Sequence, residues 1–287
     1  NTKDNYYLNN IHLFKKIGTE SAYGTIYNVK YKYNKYFYNI CGKIMCNTKG
    51  NRDEINLIME ATKKTMNNET PHFPIMYFNS FIKKNANLNN NKMLLPQSII
   101  NCSDFIVNFN EIFSGDLKTF MTECKHNHSK KILINTLEQI FISILTFHIK
   151  MGKSHNDCHW GNFLYHKIKP GGYIHYNIFN KNIYLQNMGY LWIIWDFGLT
   201  STLNNNNNYK DYHRILQAFI SKKDNGWNDN LKYPLNRALN IRDDIYNMGY
   251  KFNDNISLNS LFLYNKELCV KPDDSEIINL NNPYILN

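Results

Sequence analysis

The chain has 287 residues, enough to bury a substantial core as one bilobal domain or two small ones, and it shows no internal repeat and no Pro-rich or wholly charged linker. Lys and Arg number 33 against 23 for Asp and Glu, a formal charge of +10 that favours anionic partners: nucleic acid, acidic protein or an anionic membrane. No aromatic-interleaved arginine patch appears, so nucleic acid is open from the charge but a solvated lysine face is the favoured reading.

From Phe14 to Lys32 the residues alternate as a β-hairpin does, with Gly18 and Gly24 about its turn. Tyr38 to Met45 predicts a half-buried strand that carries Lys43. In the helix that follows, Leu57, Ile58 and Ala61 fall three, four and seven residues after Glu54, whereas the same offsets from Glu60 give Lys63, Lys64 and Asn67. Glu54 therefore shares the core-facing stripe, and Glu60 faces solvent. Two short apolar runs come after Pro71-His72-Phe73-Pro74; the second, Phe105 to Phe109, leads into Asn110-Glu111-Ile112-Phe113. Leu133, Leu137, Ile140, Phe141, Ile144, Leu145 and His148 predict a long amphipathic helix. Its apolar stretch, Ile132 to Ile149, contains Glu138 and Gln139 and predicts no membrane span.

Two motifs follow. His155-Asn156-Asp157-Cys158-His159-Trp160-Gly161-Asn162 places an Asp two residues after a His and an Asn five residues after the Asp. That is the spacing of a phosphotransferase loop, in which one carboxylate orients the acceptor hydroxyl and a separate oxygen ligand holds Mg2+. Phe163-Leu164-Tyr165 predicts a strand. Residues 166–189 read as an insertion with its own turn at Pro170-Gly171-Gly172, a surface hairpin in the plainest reading and a partner platform in a bolder one. Leu191 to Ile194 then forms an apolar run ending in Trp195-Asp196-Phe197-Gly198, with Asp196 placed to bind Mg2+.

With both motifs in this order, the sequence resembles the protein-kinase-like superfamily over roughly residues 11–220. The loop is also similar to that of aminoglycoside-phosphotransferase-like kinases. The longer run through Trp160-Gly161-Asn162-Phe163-Leu164-Tyr165, Lys169-Pro170-Gly171-Gly172 and Trp195-Asp196-Phe197-Gly198 looks like serine/threonine-kinase-like proteins of large DNA viruses. The resemblance implies an α+β, bilobal fold: a β-rich lobe over 1–110, a hinge at 111–116, and a helical lobe over 117–287 with a reduced activation segment. It implies ATP and Mg2+ as cofactors and a protein Ser/Thr hydroxyl as acceptor. Asp157 would be the base, Asn162 and Asp196 the Mg2+ ligands, and Lys43, aimed by Glu54, the phosphate-pairing cation. His159 would contact the γ-phosphate. Gly18, Tyr23, Gly24, Ile26, Cys41, Glu111, Phe113 and Leu164 would complete the nucleotide set, with Asn110 as gatekeeper.

The departures are specific. Gly18 and Gly24 lie six apart with no Gly between them, and Asn156 stands where an Arg usually pairs with a phosphorylated activation loop, so no such phosphorylation is expected to be needed. Only about a dozen residues separate Gly198 from Asp211, no Ala-Pro-Glu anchor appears, and Asp211 is expected to brace the loop. A small-molecule kinase and a pseudokinase scaffold are the alternatives. From Ser221 onward, short helical stretches and Asn-rich loops are expected to complete a helical lobe. Cysteines 41, 46, 102, 124, 158 and 269 have no framework spacing and predict reduced thiols. A metal site at Cys124, His126 and His128 lacks a full ligand set. The expectation is a soluble intracellular protein with no leader, in host cytoplasm or a virion if viral.

Overall fold

A computed structural model describes residues 6–8, 11–21, 24–83, 101–123, 130–203, 210–212, 214–215 and 266–287. The chain divides into two compact units: residues 1–63 with 74–112, and residues 64–73 with 113–287.

The first unit is an antiparallel sheet. Its strands are β1 (Tyr6–Leu8), β2 (Ile11–Ser21), β3 (Gly24–Tyr33), β4 (Tyr36–Cys46), β5 (Met76–Lys83) and β6 (Asp104–Asn110), in the spatial order β1-β2-β3-β4-β6-β5. Helix α1 (Lys49–Met66) follows β4. Period-two alternation separates two faces of the sheet. One face buries Tyr27, Val29, Ile40, Ile44, Phe105, Val107 and Phe109 as an apolar core. The register pairs Ile26 with Lys43, Lys43 with Asn108 and Cys41 with Asn110, so these residues share the opposite face. Gly24 has no room for a side chain: a Cβ there would lie 2.6 Å from the Ile44 carbonyl oxygen.

The expected reduced state does not hold for two of the cysteines. Cys46 and Cys102 form a disulfide, because the β4–β6 pairing brings the end of β4 beside the segment that enters β6. Cys41 and Cys158 are free and buried, and Cys269 is free and exposed.

The second unit mixes helix and strand. Its elements are β7 (Gly115–Asp116), α2 (Leu117–Glu123), α3 (Lys130–Met151), β8 (Lys153–Ser154), β9 (Phe163–Lys167), β10 (Tyr173–Ile178), β11 (Lys181–Gln186), β12 (Tyr190–Ile194), β13 (Ser201–Thr202) and β14 (Tyr284–Leu286). They form three small sheets, ordered β12-β9-β7, β11-β10-β14 and β13-β8. α3 is long and apolar enough to cross a membrane, yet 83% of its apolar window is buried within the protein.

The expected helical lobe is thus strand-rich among the described residues, and the expected surface hairpin is part of the core. β10 and β11 reverse at Phe179 and Asn180, both at positive φ (48° and 62°), and not at Pro170-Gly171-Gly172. Ile174, Tyr176, Ile178, Ile183 and Leu185 from this hairpin pack with Ile142 and Leu145 of α3, Leu268 and Leu286. The 170–172 stretch is held by Asn187, whose Nδ2 donates to the Lys169 and Gly171 carbonyls. The chain end adds β14 in parallel to β10. Residues 216–265, where further helical stretches are expected, lie outside the described residues, as do Cys124, His126 and His128.

Candidate active site

In the second unit the loop from His155 to Asn162 is fixed by three groups, Asp211 and Trp195 from other parts of the chain and Asn156 of the loop itself. Asp211 lies buried beneath it. One carboxylate oxygen accepts from His148 Nε2 at 2.8 Å and from the His155 backbone N–H at 2.7 Å, and the other accepts from the Asn156 N–H at 2.7 Å. Burial alone would raise the Asp211 pKa, but the bonds and charge from His148, with help from His155, hold it below the ordinary carboxylate value. Asp211 thus braces the loop, as its position in the sequence suggested.

Trp195 is the second fixing group. Its N–H donates to the Asn162 carbonyl at 2.8 Å, and its carbonyl meets His155 Nε2 at 2.9 Å. His155 Nδ1 accepts from the Asp157 N–H at 3.3 Å, so Nε2 carries the proton. Burial lowers the pKa of His155 and keeps the ring neutral, while its edge packs on Phe147 and Phe197. Asp196 follows Trp195 directly and adopts φ 64°, a left-handed conformation that a non-glycine residue rarely takes.

The third is Asn156, also at φ 64°. Its Nδ2 donates to the Leu199 carbonyl and to Ser201 Oγ, both at 2.9 Å. The antiparallel pairing of β13 with β8, together with the bond from the Leu203 N–H to the Gly152 carbonyl, holds the same segment. The segment after Asp196-Phe197-Gly198 is therefore tied down by neutral hydrogen bonds.

Within the loop, Asn162 Nδ2 donates to the Asp157 backbone carbonyl at 2.9 Å and to Asp157 Oδ2 at 3.1 Å. His159 Nδ1 accepts from the Gly161 N–H at 3.0 Å, and its Nε2 lies 3.5 Å from Asp157 Oδ2. A Cβ on Gly161 would come within 2.9 Å of the His159 ring. The structure therefore brings Asp157, His159 and Asn162 together. Asn162 Nδ2 is committed to Asp157, and Asn162 Oδ1 and the Asp196 carboxylate are oxygen donors of the kind that could hold a hard cation such as Mg2+. Leu164 sits half-buried in β9, opposite Ile193. Phe113 packs at a tilt against His166 and edge-on to Trp195.

In the first unit, Lys43 Nζ and Glu54 Oε1 meet at 2.8 Å with both side chains 2% exposed. Glu60 is exposed, as the helical periodicity predicts. Cys41 is buried two residues before Lys43, and burial pushes its thiol up to about 12 although the Lys43 charge pulls the other way. Ile26 is half-buried on the face of Lys43. Glu111 spends its carboxylate on the Ile75 N–H at 2.8 Å, while its own N–H donates to the Ile75 carbonyl. Asn110 is buried and donates to the Asn108 carbonyl. Gly18 lies in β2 and Gly24 opens β3; Tyr23, between them, lies outside the described residues.

Sequence reasoning passed over His148 and Trp195 as site residues. His148 had one signal, a polar ring on the apolar stripe of α3. Trp195 acts through its backbone and had none. Among the described residues no three His, Cys, Asp or Glu side chains cluster as a metal site would require. Compared with known proteins, the chain matches no family model and no curated protein.

Proposed function

We propose that the chain is an ATP-dependent phosphotransferase of the bilobal protein-kinase-like kind, acting on Ser or Thr hydroxyls, as its resemblance to kinase-like proteins of large DNA viruses implies. The observation that carries this reading is the pair of bonds from Trp195 to His155 and Asn162. Those bonds set Asp196 beside the loop that holds Asp157.

In this reading the Asp157 carboxylate, steered by Asn162 Nδ2, orients the acceptor hydroxyl and takes its proton as the oxygen bonds to the γ-phosphorus and the bond to ADP breaks. Asn162 and Asp196 would hold Mg2+, which neutralises phosphate charge when bound. Lys43, aimed by Glu54, serves the nucleotide phosphates. In the first unit Ile26 and Cys41, with the backbone at Glu111, are read as adenine contacts, and in the second unit Leu164, with the backbone at Phe113, is read the same way. His159, beside Asp157, serves the γ-phosphate, and the same neighbour keeps a small hydroxylated acceptor as the second reading.

The test is label transfer from γ-labelled ATP to a Ser/Thr peptide mixture and, separately, to a panel of small alcohols. Peptide labelling that falls by about 10²-fold or more in Asp157→Asn supports the proposal. Labelling of the alcohols alone selects the small-molecule reading. No transfer, despite Mg2+-dependent nucleotide binding, replaces both with a scaffold.

A further inference from the structure

The β3–β4 hairpin carries a set of side chains that phosphoryl transfer does not use. From Lys30 to Asn39 it reads Lys-Tyr-Lys-Tyr-Asn-Lys-Tyr-Phe-Tyr-Asn, and no carboxylate occurs between Glu20 and Asp53. The register pairs Tyr31 with Tyr38 and Tyr33 with Tyr36, which puts four tyrosines on one face of the ribbon. Lys30 and Lys32, opposite Asn39 and Phe37, line the other face. The turn at Asn34, with φ 55°, adds Lys35 at the tip.

These rings are not core residues. Tyr33, Tyr36, Phe37 and Tyr38 are 57%, 56%, 66% and 48% exposed, an aromatic patch that folding alone does not explain. Tyr31 is anchored against Phe78, with centroids 5.3 Å apart, and Tyr33 lies nearly parallel to it at 6.5 Å, so the row starts from a rigid base. Lys32 Nζ lies 5.9 Å from the centre of the Phe37 ring, and Lys35 Nζ 5.4 Å from that of Tyr36, which keeps ammonium groups close to the ring faces.

We propose that this hairpin binds single-stranded nucleic acid that wraps its tip, with bases stacked on the tyrosine face and phosphates passing around the narrow ribbon to Lys35 at the tip and to Lys32 and Lys30 on the other face. Exposed aromatic rings within one short ribbon that also carries cations are the chemistry of sequence-tolerant strand binding. The charge matches: a carboxylate-free stretch in a chain of +10 attracts a polyanion. A lipid surface fits less well, because the ten residues from Lys30 to Asn39 include no aliphatic side chain to enter the acyl region, and four of the five rings carry a hydroxyl.

The experiment is fluorescence anisotropy of a labelled 20-nucleotide oligothymidine strand and of an oligouridine strand with the full chain. It is run without nucleotide, from about 50 to 300 mM salt, and reads independently of phosphoryl transfer. Binding that weakens linearly on a log–log salt plot is expected. Tyr33→Ala with Tyr36→Ala should weaken it about tenfold or more at constant salt. Replacing Lys30, Lys32 and Lys35 by Gln should flatten the salt slope by about 2, near 0.7 for each phosphate no longer neutralised. The substituted rings are at least half exposed, and an unchanged unfolding midpoint verifies that the fold persists. Unchanged affinity in the tyrosine variant would overturn the proposal. So would absence of binding at 50 mM salt, or binding of anionic vesicles in place of either strand.

Discussion

Glu54 meets Lys43 strand to helix, eleven residues apart and almost fully buried, whereas Asp211 is shared among His148 and two backbone N–H groups of the His155 loop. The first arrangement fixes one charge at one point. The second uses one carboxylate to set the backbone path of the loop. A buried ion pair of the first kind is seldom a gain in stability over well-packed apolar residues, so its presence is better explained by what the charge is for. A shared carboxylate of the second kind stabilises, because three donors would be stranded without it.

The contrast predicts different responses to substitution. Glu54→Ala should be the most damaging, at about 3–5 kcal/mol, since it leaves Lys43 buried without its carboxylate. Lys43→Met with Glu54→Leu should restore most of that loss while abolishing nucleotide binding. Chemical denaturation of the three proteins measures this, and a double variant as unstable as Glu54→Ala would contradict the account. Asp211→Asn should cost about 2–4 kcal/mol, because an amide offers one acceptor oxygen to donors that now use two. Faster amide exchange should follow at His155 and Asn156; unchanged exchange there would deny the bracing role.

Acid should act on the second unit through its buried histidines. His72 hydrogen-bonds the Trp192 carbonyl and the Tyr176 hydroxyl, and burial lowers it to about 4. Its folded pKa lies below the unfolded value of about 6.5, so between these values the unfolded chain binds the proton that the folded chain refuses. Stability should fall as pH drops from about 6.5 towards 4, by up to about 1.4 kcal/mol per pH unit, with His155 adding in the same direction. Asp211, held low, loses its contribution only below its ordinary carboxylate value. A midpoint of unfolding that is flat from pH 7 to 5 would contradict this. The smallest expected effect is Gly161→Ala, about 1 kcal/mol. The new methyl would displace the His159 ring from the Gly161 N–H, with loss of the ring's orientation towards Asp157 as the sharper readout by NMR.

The same two regions show what the chain discloses before folding. Glu54 was legible because the contest with Glu60 is settled within two helical turns. The loop was legible because Asp157 and Asn162 lie five residues apart, and Asp211 because it follows the Asp-Phe-Gly at short range. His148 was hidden because its partner is 63 residues away, and Trp195 because it works through its N–H and carbonyl. The β10–β11 hairpin was misjudged as surface for a related reason. Asn177, Asn182, Lys181 and His175 dilute its apolar alternation, yet His175 is covered by stacking on Tyr184 and bonded to Asn182, and the chain end closes over the hairpin as β14. The disulfide between Cys46 and Cys102 depends on strand pairing across 56 residues, which no spacing rule reports.

The proposed role of Asn162 and Asp196, to serve a Mg2+-bound nucleotide, is tested by thermal unfolding with ATP, with and without Mg2+, for the native protein and Asp196→Asn. Binding to the folded state at a hundredfold excess over Kd stabilises by about 2.7 kcal/mol. The account predicts a Mg2+-dependent rise in midpoint that the variant loses. No rise at saturating nucleotide, or the same rise in Asp196→Asn, would contradict it.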